Sequence, residues 1–151
     1  VISTLLILVA AGSMMTFYLT LEQIPQQITK LLAGSSTVTV LLLINVVFLV
    51  AGMFIDPNSA LIVLSPLVFP AAQAAGVDPI HLGAVIVMNV AIGMITPPFG
   101  LNIFIGITTF KVPYIEVVRS VIPFIGIAIL ALIIVTYVPG LVMWLPRVVG
   151  F

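Results

Sequence analysis

Thr96-Pro97-Pro98 interrupts a nearly unbroken apolar run from Ile80 to Phe110. A run that apolar and that long belongs in a lipid bilayer, where backbone polar groups must find partners inside the protein. Two successive prolines remove two backbone donors at its middle, where no water replaces the lost hydrogen bonds. As one helix the run would be about 45 Å long, more than the ~30 Å hydrocarbon core requires. One crossing with an interrupted middle therefore fits better than two short crossings. A plain anchor gains nothing from such a defect. It is useful where something must be held at membrane depth, because a broken helix offers polar backbone ends there.

The composition agrees. Hydrophobic residues make up 63% of the chain and charged residues 5%. Four acids and four bases cannot clothe a soluble domain of 151 residues, so the chain reads as an all-α polytopic membrane protein in contact with the lipid bilayer. Zero formal charge without a basic cluster argues against nucleic acid as a partner and against an amphipathic surface binder. The absence of cysteine excludes disulfides, thiolate metal sites and cysteine nucleophiles within the chain. His81 is the lone histidine and has no suitably spaced serine or acid that would stay dry, so no residues support an enzyme. A phosphate-binding glycine loop and a His/carboxylate metal set are also missing from the sequence, and no organic cofactor is implied. The chain begins at Val1 without a methionine or a basic leader region, which reads as an internal point of a longer polypeptide.

Four segments follow from the apolar runs and their punctuation. Residues 1–37 hold a first spanning helix and a short amphipathic one, in which Ile24, Ile28, Leu31 and Leu32 keep helical spacing. Residues 38–75 form two apolar arms around Asp56-Pro57-Asn58-Ser59, with Pro66 and Pro70 bending or shortening the second. Asp before Pro starts a helix, since Asp caps free N–H groups and Pro fits the first helical position. Residues 76–110 open on a second such start, Asp78-Pro79, and break at 96–100. Residues 111–151 hold the last spanning helix, from Val121 to Val138, and a tail in which Trp144 and Arg147 suit an interfacial anchor. Lys111 and Arg119 lie near helix ends and place that side in the cytoplasm, although Arg147 evens the count of bases.

The two interruptions carry the candidate chemistry. Carbonyls of Gly52-Met53-Phe54-Ile55 and of Gly93-Met94-Ile95 end helices, carry the negative end of a helix dipole and suit a hard cation such as Na⁺. Asn58, Ser59 and Ala60, and Phe99 and Gly100, follow the prolines and offer N–H groups at a positive helix end, which suits a carboxylate. Plainer readings stand beside these. Asp56-Pro57 fits an ordinary turn between two crossings as well as the tip of a re-entrant hairpin, and the double proline fits a kink. Asn89 and Asn102 suit interhelical hydrogen bonding as well as ligation, and His81 suits the interface better than a proton relay.

The stretch Gly52 to Pro66, with Asp56-Pro57-Asn58-Ser59 at its centre, resembles the large membrane subunit of tripartite ATP-independent periplasmic (TRAP) transporters. So does Gly93-Met94-Ile95-Thr96-Pro97-Pro98-Phe99-Gly100-Leu101-Asn102, and the resemblance extends over essentially the whole chain. It implies an elevator-type transporter of two inverted repeats, each with a re-entrant hairpin and a broken transmembrane helix. On that reading residues 38–75 are the hairpin with its tip at 56–60, residues 76–110 the broken helix, and Ile115 onward the last, scaffold-side helix. The first half of the subunit, a small membrane subunit and a periplasmic substrate-binding protein are the implied partners. The implied task is Na⁺-coupled uptake of an organic acid, such as a C4-dicarboxylate or sialic acid, across the bacterial cell inner membrane. Carried over by position, Gly52, Asp56, Gly93 and Thr96 are the sodium-site candidates, with no other metal expected. Asn58, Ser59, Pro98 and Gly100 are the substrate-side candidates. A structural membrane anchor of a larger complex and a channel are the competing readings.

Overall fold

In the computed structural model, which describes residues 2–32 and 34–150, every regular element among the described residues is helical. The order is α1 (Ile2–Leu21), α2 (Ile24–Leu31), α3 (Thr37–Phe54), α4 (Pro57–Ala74), α5 (Pro79–Gly93), α6 (Leu101–Phe110), α7 (Tyr114–Tyr137) and α8 (Gly140–Val149). Val1, Ala33, Phe151 and the Arg147 side chain, the expected anchor, lie outside the described residues.

The helix starts have local causes. Ser36 caps α3 by accepting the Thr39 N–H at 3.2 Å. Asp56 caps α4 by accepting the Ser59 N–H at 3.1 Å, with Pro57 at the first helical position. Asp78 caps α5 by accepting from Ile80 and His81, at 2.8 and 3.3 Å, ahead of Pro79. Pro66 and Pro70 do not end α4, which runs through both to Ala74. Bilayer helices tolerate interior prolines in this way when neighbouring helices support them.

Helices α3 and α4 form a hairpin whose arms close at the base, where the Thr37 hydroxyl donates to the Ala75 carbonyl at 2.8 Å. Helix α5 packs along α3, and these three helices make the core: Val40, Ile44 and Phe48 from α3, Ala60, Val68 and Ala72 from α4, Leu82, Ile86 and Val90 from α5. Helices α1 and α2 lie on α4. Ile24 and Ile28 of α2 are half-buried, whereas Leu31 is 82% exposed and leaves the expected apolar stripe. Helix α7 packs on both α5 and α6.

Elsewhere the apolar residues face outward, as Ile122, Phe124, Ile127 and Leu130 do on α7. That inversion is expected of a chain whose surroundings are lipid or further apolar protein. Helices α3 and α7 are each long and apolar enough to cross a membrane.

Inside the bundle a polar cluster joins three helices. The Asn89 side-chain amide donates to the Asn45 carbonyl oxygen at 2.6 Å and to the Val85 backbone carbonyl at 2.8 Å. Asn45 in turn donates to the Thr136 hydroxyl at 3.1 Å. Asn89 therefore bridges α5 to α3, and Thr136 ties both to α7. His81 is buried within the bundle, where its Nε2 pairs with the Val135 carbonyl at 2.9 Å. That carbonyl is accessible for a simple reason: its α-helical donor would be residue 139, which is a proline.

Candidate functional site

The segment between α5 and α6 is not helical. The break runs from Met94 to Gly100, opening two residues ahead of the position expected from the sequence and closing where expected. The prolines act backwards: Pro97 and Pro98 cannot donate to the carbonyls of Gly93 and Met94, four residues earlier. Those two carbonyls find other donors. Gly93 O accepts the Thr96 N–H at 2.9 Å, and Met94 O accepts the Asn102 N–H at 3.0 Å. Among the described residues, no backbone N–H reaches the carbonyls of Ile95, Thr96 or Pro97. Of the three carbonyls expected to be open on this side, only that of Ile95 is.

The hairpin tip repeats the logic. Pro57 withholds a donor from the Met53 carbonyl, and the Gly100 N–H takes its place at 3.0 Å. Ile55 N–H still serves Ala51, while the carbonyls of Gly52, Phe54 and Ile55 accept no backbone N–H among the described residues. A hydrogen bond between Met53 and Gly100 thus docks one interruption onto the other. Open carbonyls from two stretches of chain gather at a single junction.

Glycine permits the approach. A methyl group on Gly52 would stand 2.9 Å from the Val90 carbonyl oxygen, and one on Gly93 would stand 2.7 Å from the Gly52 Cα. Gly100 has φ +31°, and a methyl there would meet the Met94 and Thr96 carbonyl oxygens at 2.8 and 2.9 Å. No side chain fits at these three positions without moving backbone.

The sodium-site candidates converge. Gly52 and Gly93 touch, Thr96 is buried beside Gly100, and Asp56 lines the same cavity as Gly52. That cavity measures about 220 Å³ and is walled by Phe54, Phe99, Leu101 and Phe104. The Thr96 hydroxyl donates to Ile92 O at 2.7 Å, which leaves its oxygen lone pairs as acceptors. The substrate-side candidates are more scattered. Pro98 and Gly100 belong to the break, but the Gly100 N–H is engaged with Met53 and is not free for a carboxylate. Asn58 is exposed at the start of α4. Ser59 gives its N–H to Asp56 and lines a separate cavity of about 210 Å³ against Gly12 and Met15 of α1. A larger cavity, about 390 Å³, opens at the opposite end of the hairpin beside Asp78, His81 and Pro139, and none of the open carbonyls belongs to its lining.

Several contributors escaped the sequence reading. Tyr114, the first residue of α7, donates its hydroxyl to the Pro98 carbonyl at 2.8 Å. Phe104, Phe99 and Phe54 continue from its ring as a row of aromatic contacts, stacked between Phe99 and Phe104 and tilted at either end. Asn45 carried a usable signal, being an amide in an otherwise apolar helix seven residues before Gly52 and hence on the same face. Tyr114 carried none, since a tyrosine near a helix start reads as an interfacial anchor.

Chemically the junction offers uncharged oxygen donors, one hydroxyl and one carboxylate nearby. That is a hard-ligand set suited to a small cation, next to the Phe99 and Leu101 amides, which serve no backbone carbonyl among the described residues, whereas those of Gly100, Asn102 and Ile103 are engaged.

Comparison with known proteins follows the same outline. The family described as "Tripartite ATP-independent periplasmic transporter, DctM component" matches residues 1–141. The C4-dicarboxylate TRAP transporter large permease protein of Vibrio cholerae is 46% identical over 144 residues, which cover 94% of this chain and 32% of that protein. Its counterpart in Pseudomonas aeruginosa is 40% identical over 148 residues, covering 97% and 35%. The ectoine TRAP transporter large permease protein of Halomonas elongata is 40% identical over 141 residues, covering 92% and 33%. The chain thus spans about a third of the length of these curated relatives.

Proposed function

The chain belongs to the DctM component of the tripartite ATP-independent periplasmic transporters, and from that membership we propose that it forms the sodium- and substrate-binding end of a secondary transporter for an organic acid. The single observation that carries the reading is the docking of two proline-opened backbone breaks, with unpaired carbonyls on both sides of the Met53–Gly100 hydrogen bond. Carbonyl groups at helix C-terminal ends hold Na⁺, and N–H groups at helix N-terminal ends hold a carboxylate.

Gly52, Asp56, Gly93 and Thr96 frame the ion. The break residues Pro98 and Gly100 and the tip residues Asn58 and Ser59 face the substrate once the rest of the subunit closes over the junction. Residues 38–75 act as a re-entrant hairpin. Support for this comes from the meeting of tip and break: the Met53–Gly100 hydrogen bond sets the tip beside the interruption that follows the 15 residues of α5, about 22 Å of helix. Hairpin and broken helix move together as the mobile element of an elevator. The partners are the first half of the subunit, a small membrane subunit and a periplasmic protein that delivers the acid, in the bacterial inner membrane. The named relatives carry C4-dicarboxylates or ectoine, all carboxylates, and a carboxylate is the substrate class proposed here. Sialic acid belongs to the same class.

The test is uptake into proteoliposomes by the complete subunit with its small subunit and binding protein, over a panel of acids. Saturable uptake that requires an inward sodium gradient is expected. Uptake indifferent to sodium, or flux that does not saturate, overturns the reading.

A further inference from the structure

The Pro98 carbonyl ends a short series of displaced hydrogen bonds. Pro98 cannot serve the Met94 carbonyl, which accepts the Asn102 N–H at 3.0 Å instead. In an unbroken helix that N–H would have served Pro98, four residues back. The Pro98 carbonyl is left over, and the Tyr114 hydroxyl donates to it at 2.8 Å from sixteen residues further along the chain.

Between the Thr96 N–H, bound to Gly93, and the Gly100 N–H, bound to Met53, the residues Pro97, Pro98 and Phe99 donate no backbone hydrogen bond among the described residues. The Tyr114 hydroxyl is the polar tether of that stretch. The Tyr114 ring adds an apolar one: it lies 6.5 Å from Phe104, Phe104 lies 6.5 Å from Phe99, and Phe99 lies 5.3 Å from Phe54 at the hairpin tip.

We propose that Tyr114 is a positioning residue for the cation at the junction. Its hydroxyl holds the Pro98 carbonyl out of the ion's reach and so fixes which carbonyls of the break, those of Ile95, Thr96 and Pro97, stand open to it. Selection of a cation by backbone dipoles depends on their number and direction. A peptide plane free to turn changes both. Tyr114 touches neither ion nor substrate, and its effect is transmitted through the backbone it restrains. The inference rests on the sodium-coupled reading above.

Tyr114→Phe removes the hydroxyl and keeps the ring against Phe104. In proteoliposomes with the complete transporter, the sodium concentration for half-maximal uptake should rise about two- to tenfold, the loss expected for one neutral hydrogen bond. The maximal rate at saturating sodium should stay near wild type, whereas a general folding defect would lower the rate. Wild-type uptake without sodium dependence would sink the sodium reading itself. Sodium-dependent wild-type uptake with an unshifted half-saturation in Tyr114→Phe overturns this inference alone. If Tyr114→Phe does not reach the membrane, 3-fluorotyrosine at position 114 decides the matter. It keeps the size and strengthens the donor, so half-saturation should fall, and an unchanged value overturns the proposal.

Discussion

Gly52 and Gly93 meet backbone to backbone: a methyl group on Gly93 would lie 2.7 Å from both the Cα and the carbonyl carbon of Gly52, and 2.8 Å from the Leu49 carbonyl oxygen. No flexible side-chain end stands there to give way, so any Cβ must push α3 and α5 apart. Because the Met53–Gly100 hydrogen bond lies one residue beyond Gly52, separation of the helices also opens the junction. Gly93→Ala should therefore destabilise the subunit by about 1–3 kcal/mol. Uptake should fall more than about tenfold, as misplacement at a binding site does. Gly83→Ala is the control, since a methyl there meets nothing within 4 Å on the exposed side of α5. Melting of the purified protein and initial uptake rates, measured side by side, separate the two positions.

Thr96 has a hydroxyl with two possible uses. It donates to Ile92 O at 2.7 Å, and its lone pairs remain to face a cation. Thr96→Ser keeps both functions, whereas Thr96→Val keeps the shape and loses both. Sodium-stimulated uptake is expected to persist in the serine variant and to vanish in the valine variant. A valine variant with wild-type sodium stimulation would remove Thr96 from the ion site.

Asp56 carries a cap and a charge, and two substitutions pull them apart. Asn caps a helix about as well as Asp, so Asp56→Asn should hold the Ser59 N–H and leave thermal stability near wild type. Asp56→Ala removes the cap and should cost about 0.5–2 kcal/mol. If the carboxylate also helps to hold the cation, both variants need more sodium for half-maximal uptake. An asparagine variant with unchanged sodium dependence would confine Asp56 to capping.

What could be read from the sequence was the punctuation: Asp56-Pro57, Asp78-Pro79 and Pro97-Pro98 act through local rules of capping and missing donors, and each interrupts the chain within a few residues of the expected place. What could not be read was where displaced hydrogen bonds go. Pro57 announces that the Met53 carbonyl is orphaned, yet only the tertiary fold supplies Gly100 as its partner. The carbonyls of Gly93 and Met94, which end a helix, are closed all the same: a short turn brings the Thr96 amide to the first, and the start of α6, eight residues on, brings the Asn102 amide to the second. Asn89 is the opposite case. A partner forty-four residues away, Asn45, receives one of its amide protons, while its buried Oδ1 has no hydrogen-bond partner among the described residues, so glue and ligand both keep a footing. Tyr114 at the break was hidden for the same reason: spacing reports faces of one helix, not meetings between helices.

His81 and Pro139 form a testable pair of this kind. The Val135 carbonyl lacks an α-helical donor because residue 139 is a proline, and His81 Nε2 fills the gap at 2.9 Å. His81→Leu should therefore leave a half-buried carbonyl unpaired and cost about 1 kcal/mol. Pro139→Ala returns an N–H to the position that an extended α7 would use. If the orphaned carbonyl is the source of the loss, adding Pro139→Ala to His81→Leu should recover part of it. The same change made alone, with His81 still in place, should gain little. A double-mutant cycle on thermal unfolding of the purified subunit reads the coupling directly. Additive effects would mean that His81 stabilises the α5–α7 contact through its packing, independently of the proline.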